Sequence, residues 1–370
     1  MGTSQVSIVG CRNYNTIMVE KAVRKSVDLI GGINRFIKPG DRVLIKPNIL
    51  SARKPEDAVC THPEMVRAVI RLARRAGAYV TVGDSPGGFL KNMSEVYNVS
   101  GIGRIAREEK VNIVKFTFSR TVSGFPISVR VLDADKIISV PKFKTHEITG
   151  ITAAVKNMFG AVVGLYKTKC HADAPTEKSL AKVLAQVYAL TRPTLSILDA
   201  VVSMEGEGPS AGVPRHTGFV MASADGVAID SLLSVLIGLR PHHFAVTREC
   251  RRMGLGETAV ENIDVLGDTF SNFMIRNFKH ARGRAFLRLL PGPVTNMIAS
   301  QLRFWPEIDP ELCKKCNMCK SSCPVHAISV KGGLYEVNRS MCIRCMCCRE
   351  ICPYKAIGVR KSWLAKLLWE

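Results

Sequence analysis

From the N-terminus to about residue 266, short runs of β-branched and other apolar residues alternate with longer stretches whose apolar positions recur every three or four residues. Such a switch between a period of two and a helical period is an α/β signature. The strand-like runs are 6–10, 42–46, 79–83, 111–116, 136–140, 194–199 and 218–222, with helical patterns between most of them. Strands separated by helices favour parallel pairing, so we expect an α/β fold whose largely parallel sheet is flanked by helices on both faces. The clearest helix start is Thr61-His62-Pro63-Glu64, which reads as a capping box with Glu64 returning a bond to the Thr61 amide. An apolar stripe through Met65, Val66, Val69, Ile70 and Leu72 follows, and the opposite face, Arg67, Arg71, Arg74 and Arg75, reads as solvated surface.

Past residue 268 the pattern changes. Residues 269–308 form a basic amphipathic connector in which Lys279, His280, Arg282, Arg284 and Arg288 stand beside Phe278, Phe286 and Leu289. Its first reading is a helix packed between domains, and its second a helix that docks on a membrane surface or a partner. Residues 309–359 are a cysteine-rich module expected to fold as a small α+β domain, and the tail 360–370, with Trp363 and Trp369, poses the connector's choice again. The 370 residues have room for about two domains, one of them small. No run reaches the roughly 18 apolar residues of a membrane span. No basic and apolar leader precedes Val6 either, so we expect a cytoplasmic protein with no transmembrane segment, peripheral contact through the connector remaining open.

In a chain without an export signal, thirteen cysteines point to reduced thiols and metal rather than disulfides. Eight fall in two runs, Cys313, Cys316, Cys319 and Cys323 before Pro324, and Cys342, Cys345, Cys348 and Cys352 before Pro353. Two-residue gaps let three thiolates of one loop reach three irons of a cubane, while the fourth is carried to the other cubane. The expected wiring is crossed: Cys313, Cys316 and Cys319 with Cys352, and Cys342, Cys345 and Cys348 with Cys323. Zinc is the competing reading, but it needs only four ligands per ion and does not call for the following proline. The repeated Cys-Pro-x-x-Ala-Ile endings resemble bacterial-type two-cluster ferredoxins, which implies two [4Fe-4S] clusters as cofactors. Cys347 lies inside the second run, and the spacing argues against it as a ligand. Cys11, Cys60, Cys170 and Cys250 are scattered and read as core thiols, with Cys170 beside His171 a weak case for a nucleophile.

The formal charge of +21 stays strongly positive after the roughly −4 of two oxidised clusters, so the partner or substrate should be anionic. An anionic small molecule comes first, an external ferredoxin or other acidic redox partner second, and nucleic acid is unlikely on dispersed basic residues with no recognised motif. The candidate chemistry gathers at strand ends, where open α/β sheets bind ligands. Lys46-Pro47-Asn48 ends one strand-like run, and Asp84-Ser85-Pro86-Gly87-Gly88 follows another. The densest stretch runs from Ser139 through Pro141, Lys142, Lys144, Thr145 and His146 to Thr149, Lys156, Asn157 and Gly160. Asp199 to Pro209, with Glu205, places carboxylates after a further run and ahead of a flexible loop, and Asp225 and Asp230 follow the next. We expect Lys46, Asn48, Asp84, Ser85, Lys142, Lys156 and Asn157 to bind substrate, and Lys144, His146, Asp199 and Glu205 to serve catalysis, in one pocket. For each carboxylate, an ion pair with a lysine is the competing reading. No Walker loop and no Gly-x-Gly-x-x-Gly between strand and helix suggests a nucleotide.

Together, Lys-Pro-Asn, Pro-Lys-x-Lys-Thr-His with its downstream Lys-Asn, Asp-Ala-x-x-x-Met-Glu-Gly-x-Gly-Pro and the terminal cysteine runs resemble the iron-sulfur family called domain of unknown function 362, over about residues 5–265 and the module. The resemblance implies this architecture and leaves the activity open. The residues themselves suggest an iron-sulfur oxidoreductase feeding low-potential electrons to an anionic substrate or cofactor in the lysine-lined domain. The alternative is a non-catalytic electron-transfer or scaffold subunit that docks an acidic redox partner.

Overall fold

A computed structural model describes residues 3–87, 93–174, 176–281 and 304–361. Gly88, connector residues 282–303 and tail residues 362–370 lie outside the described residues, so the expected connector and tail helices do as well.

Strands β1 (Ser4–Gly10), β2 (Arg42–Pro47), β3 (Tyr79–Val82) and β4 (Asn112–Ile113) are followed by the hairpin β5 (Ser119–Val122) and β6 (Phe125–Ser128). Next come β7 (Lys136–Val140), β8 (Lys142–His146), β9 (Gly150–Thr152), β10 (Leu195–Glu205), β11 (Val213–Ser223) and β12 (Ile263–Gly267). Ten of these pair in one sheet, in the order β12-β1-β11-β10-β7-β2-β3-β4, with β8 beside β10 and β9 beside β8. Pairing is parallel except where β11 lies between β1 and β10 and where β9 turns back on β8. The expected largely parallel sheet is present. The run expected over 111–116 shortens to two residues, whereas that expected over 194–199 extends to Glu205, so Glu205 ends a strand instead of opening a flexible loop.

Period-two alternation accounts for the two covered faces. Val9, Val43, Ile45, Ile197, Val220 and Ala222 pack with helices Thr16–Leu29 and Pro63–Arg75. Their neighbours Ile8, Leu44, Leu198, Phe219 and Met221 join the core beneath helices Glu177–Leu190 and Gly226–Leu236 on the other face. Helix Pro63–Arg75 is capped differently from expectation. His62 Nδ1 accepts from the Glu64 amide at 3.2 Å, while Thr61 Oγ1 donates to the Val140 carbonyl at 2.6 Å. Nor is its arginine face simply solvated: Arg67 is buried among Glu64, Glu108 and Glu109, and Arg71 bridges Glu20 and Glu109.

Pro141 interrupts β7 and β8. It has no amide hydrogen for the ladder, but its carbonyl accepts from Asp199 N at 2.9 Å, and the chain resumes beside β10 as a wholly buried strand. The described end of the connector is not an α-helix. Phe270–Phe273 is a 3₁₀ turn, and Phe278 stacks on Phe143 at 5.5 Å against the large domain.

The C-terminal module pairs β13 (Phe304–Ile308) with β16 (Ile357–Lys361) and β14 (Ile328–Lys331) with β15 (Leu334–Val337). Its two halves repeat at an offset of 29 residues, seen in the cysteines (Cys313 to Cys342) and in three left-handed backbone positions: Lys315 and Arg344, Asn317 and Met346, His326 and Lys355. Arg53 Nη2 donates to the Cys352 carbonyl at 2.9 Å, Lys355 lies 3.7 Å from Asp57, and Arg349 lies within 3.6 Å of Glu147 and Glu207, all joining the module to the large domain.

Candidate functional site at the domain seam

The strand ends converge on a polar floor. Lys46, at the end of β2, is fully buried; its Nζ lies 2.6 Å from Asp84 Oδ1 and donates to the Asn157 carbonyl at 2.7 Å. Burial pulls the Lys46 pKa down and Asp84 opposes it. Asp84 Oδ2 accepts from Ile49 N at 2.8 Å, and Asn157 Nδ2 donates to Ser139 Oγ at 2.9 Å and to the Lys46 carbonyl at 3.2 Å. Gly160 lets the chain cross this floor, since a Cβ there would fall 2.2 Å from Asp84 Oδ1 and 2.6 Å from Lys46 Nζ.

Above the floor is a cavity of about 90 Å³. The large domain lines it with Asn48, Asp84, Ser85, Lys144, His146, Thr152, Lys156 and Asn157, and with Lys167, Thr168 and His171 from helix Tyr166–Asp173. The module closes it with Cys347, Glu350 and Ile351. At roughly 10–15 Å³ per water, the space takes about six to nine water-sized groups, the scale of a small metabolite.

Several buried polar atoms on this wall have no hydrogen-bond partner among the described residues: Asn48 Oδ1, Thr152 Oγ1, His146 Nε2 and His171 Nδ1. His146 Nδ1 accepts from Ile148 N and Thr149 N at 3.2 and 3.3 Å, which leaves the ring hydrogen on Nε2. That atom lies 3.3 Å from Glu350 Oε1 without hydrogen-bond alignment. Burial, reinforced by Lys156, lowers the His146 pKa to about 4, and burial does the same to His171. Both imidazoles are therefore neutral at pH 7. With His146 uncharged, Glu350 has Lys156 as a further basic neighbour on this wall.

The lysines differ in what holds them. Lys156 Nζ makes no hydrogen bond among the described residues and lies 6.0 Å from the centroid of the Phe159 ring, and burial pulls its pKa down against Glu350 and Cys347. Lys144 Nζ donates to the Val59 carbonyl at 2.5 Å, and burial lowers it to about 8. Lys167 is pulled to about 7 by burial, yet its Nζ donates to the Ser85 carbonyl, Ser85 Oγ and the Pro86 carbonyl at 2.6–2.8 Å, three acceptors that match the three hydrogens of an ammonium.

Three expected site residues turn elsewhere. Lys142 Nζ pairs with Asp199 Oδ2 at 2.9 Å and donates to the Tyr14 hydroxyl at 2.8 Å, while that hydroxyl donates to Asp199 Oδ1 at 2.7 Å. The Tyr14 oxygen also accepts from Val202 N at 3.1 Å, beside the bulge of β10, so the group is satisfied and fastens strands. Glu205 pairs with Arg215 at 2.7 Å and accepts from Lys279 N at 3.1 Å. None of Lys142, Asp199 and Glu205 lines the cavity, and the ion-pair reading holds for both carboxylates. Asp225 caps helix Gly226–Leu236, and Asp230 accepts from Ala154 N and Val155 N. Cys170 is buried with its pKa raised to about 11, which removes the case for a thiolate.

In the module, Cys313, Cys316, Cys319 and Cys352 line one cavity. Cys342 has Cys345 and Cys323 as charged neighbours, and Cys348 has Cys345, Cys342 and Cys323 together with Cys319 of the first group. Ala327 N donates to Cys323 Sγ at 3.2 Å. No group of three or more His, Cys, Asp or Glu among the described residues is gathered tightly enough for a single metal ion. The set suits a larger cofactor whose corners each take one thiolate. Cys347 lines the cavity at the domain seam and not the one lined by the first group.

The sequence reading did not place Lys167, Thr168, His171 or Glu350 in this pocket, naming His171 only as the neighbour of Cys170. The signal for the first and third was their spacing of four residues, which sets them on one helix face.

Among the described residues, no helix is long and apolar enough to cross a membrane. Residues 306–353 match the model of a 4Fe-4S dicluster domain. A 32-residue stretch is 50% identical to Ferredoxin-1 of Rhodobacter capsulatus, covering 9% of this chain and 49% of that ferredoxin. A thylakoid-associated protein of Synechocystis sp. is 33% identical over 264 residues, 69% of this chain and 81% of the relative. Among solved structures, the lactate racemase apoprotein of Thermoanaerobacterium thermosaccharolyticum matches at a TM-score of 0.37 and 10% identity, over 58% of this chain and 54% of that one. A Thermotoga maritima protein matches at 0.37 and 12%, over 67% and 61%. Residues 43–234 match the model of a domain of unknown function, DUF362, and the chain belongs to that family.

Proposed function

We propose that the protein is an iron-sulfur oxidoreductase in which two [4Fe-4S] clusters exchange electrons with a small anionic molecule in the seam cavity. Cys313, Cys316, Cys319 and Cys352 would hold one cluster, and Cys342, Cys345, Cys348 and Cys323 the other. Bound clusters supply low-potential electrons one at a time. The observation that carries the reading is the shared wall: Cys347, Glu350 and Ile351 of the cysteine module close a cavity whose other side presents Lys156 and four buried polar atoms without a hydrogen bond among the described residues.

In this reading Lys156 binds the anionic group, and His146 Nε2–H, Asn48, Thr152 and His171 orient its polar substituents. Lys144, whose amine titrates near neutrality, is the better proton carrier; neutral His146 serves as a hydrogen-bond donor. The test is anaerobic reconstitution, iron and sulfide analysis and a screen of small carboxylates and phosphates for perturbation of the cluster spectrum. About eight irons are expected, with a spectral response that weakens about tenfold or more in affinity in Lys156→Met at unchanged iron content. A reconstituted chain that responds to no small anion leaves the electron-transfer subunit as the function.

A further inference from the structure

The two cysteine groups face different surroundings. Cys345 and Cys348 flank Cys347, which lines the seam cavity, so that group sits against the candidate substrate site. The other group looks outward, and Cys316 is the exposed one among the cysteines. Lys314 and Lys315 line its cavity, and both are exposed, as is Lys320. None of the three makes an ion pair with a described residue. Leu312 and Tyr354, 49% and 45% exposed, add apolar surface.

We propose that this rim is the docking surface of an acidic one-electron carrier protein, which exchanges electrons through the Cys313, Cys316, Cys319 and Cys352 group while the other group serves the seam. The proposal rests on the cluster assignment above. Exposed apolar residues beside cations that make no ion pair among the described residues match a small, transient, electrostatically steered interface, and the +21 charge of the chain extends that attraction over a longer range. Each encounter moves one electron: the carrier is oxidised by one and the module reduced by one, and no atom or proton is transferred.

The experiment follows reduction of the reconstituted full chain by a reduced acidic [2Fe-2S] ferredoxin in a stopped-flow instrument, with no seam ligand present. In Lys314→Glu/Lys315→Glu/Lys320→Glu the second-order rate should fall at least tenfold at low ionic strength, and its decline with salt should flatten. The Lys→Gln triple variant should fall between. Iron content and photoreduction by deazaflavin should not change. A wild-type rate and salt dependence in the Glu variant overturns the proposal, as does protection of the rim by phosphatidylglycerol vesicles or by self-association instead of by the carrier. A module that deazaflavin cannot bleach defeats the cluster assignment and this proposal with it, whereas failure of the seam-ligand reading leaves these rates untouched.

Discussion

Lys46 and Asp84 show at the scale of one residue how a ligand-like pattern becomes structure. Both sit at strand ends, and each neutralises the other beneath the cavity. Removing one partner of such a buried pair leaves a bare charge, so Lys46→Met should destabilise the chain by about 3–5 kcal/mol, and Lys46→Met/Asp84→Leu by less. Urea denaturation of the three proteins checks this. His146 and His171 set an acid limit. Each has a folded pKa of about 4 against an ordinary 6.5, so the unfolded chain binds more protons between those values. Their stabilisation is complete above pH 6.5 and is lost as the pH falls toward 4, and His146→Gln/His171→Gln should shrink the fall of the unfolding midpoint across that window, leaving the share of His62, which burial also lowers to about 4. What the sequence showed here was residue type and strand-end position. Whether Lys142 met a substrate or Asp199 depended on Tyr14, more than a hundred residues away, and no local pattern carries that.

At the scale of elements, β1, β2, β7 and β11 were legible because their apolar runs are short, β-branched and bounded by turns. Strand β8 was not, because Pro141 and three charged or titratable residues in five make a buried strand read as a loop. Helix Tyr166–Asp173 was equally hidden, lacking a clear apolar stripe, yet it brings Lys167 to the Ser85–Gly87 turn. Lys167→Met should release that turn, with amide exchange at Ser85 and Gly87 accelerating about tenfold or more while β2 and β7 stay protected; unchanged exchange would show that the turn holds itself.

At the scale of the whole molecule, the two units differ in how they are held together. The large domain has extensive apolar cores on both sheet faces, whereas the module's core consists of a few aliphatic residues and the cysteines themselves. Units that small lean on their metal. Chelating the iron anaerobically should therefore unfold residues 304–361 and spare the sheet, visible as hydrogen exchange lost from the module alone. The domain order was readable from the cysteine spacing, but the docking was not: nothing in the second cysteine run indicates that Glu350 would meet His146.

The shared wall of the seam makes affinity and reduction potential two readings of one free energy. A ligand that touches the module cannot favour its reduced state without the reduced state favouring the ligand by the same factor. For a one-electron couple, tenfold tighter binding to the reduced protein must raise the potential of the inner cysteine group by about 59 mV. Occupancy of the cavity would then decide when electrons flow, and the empty protein would hold them back from solvent.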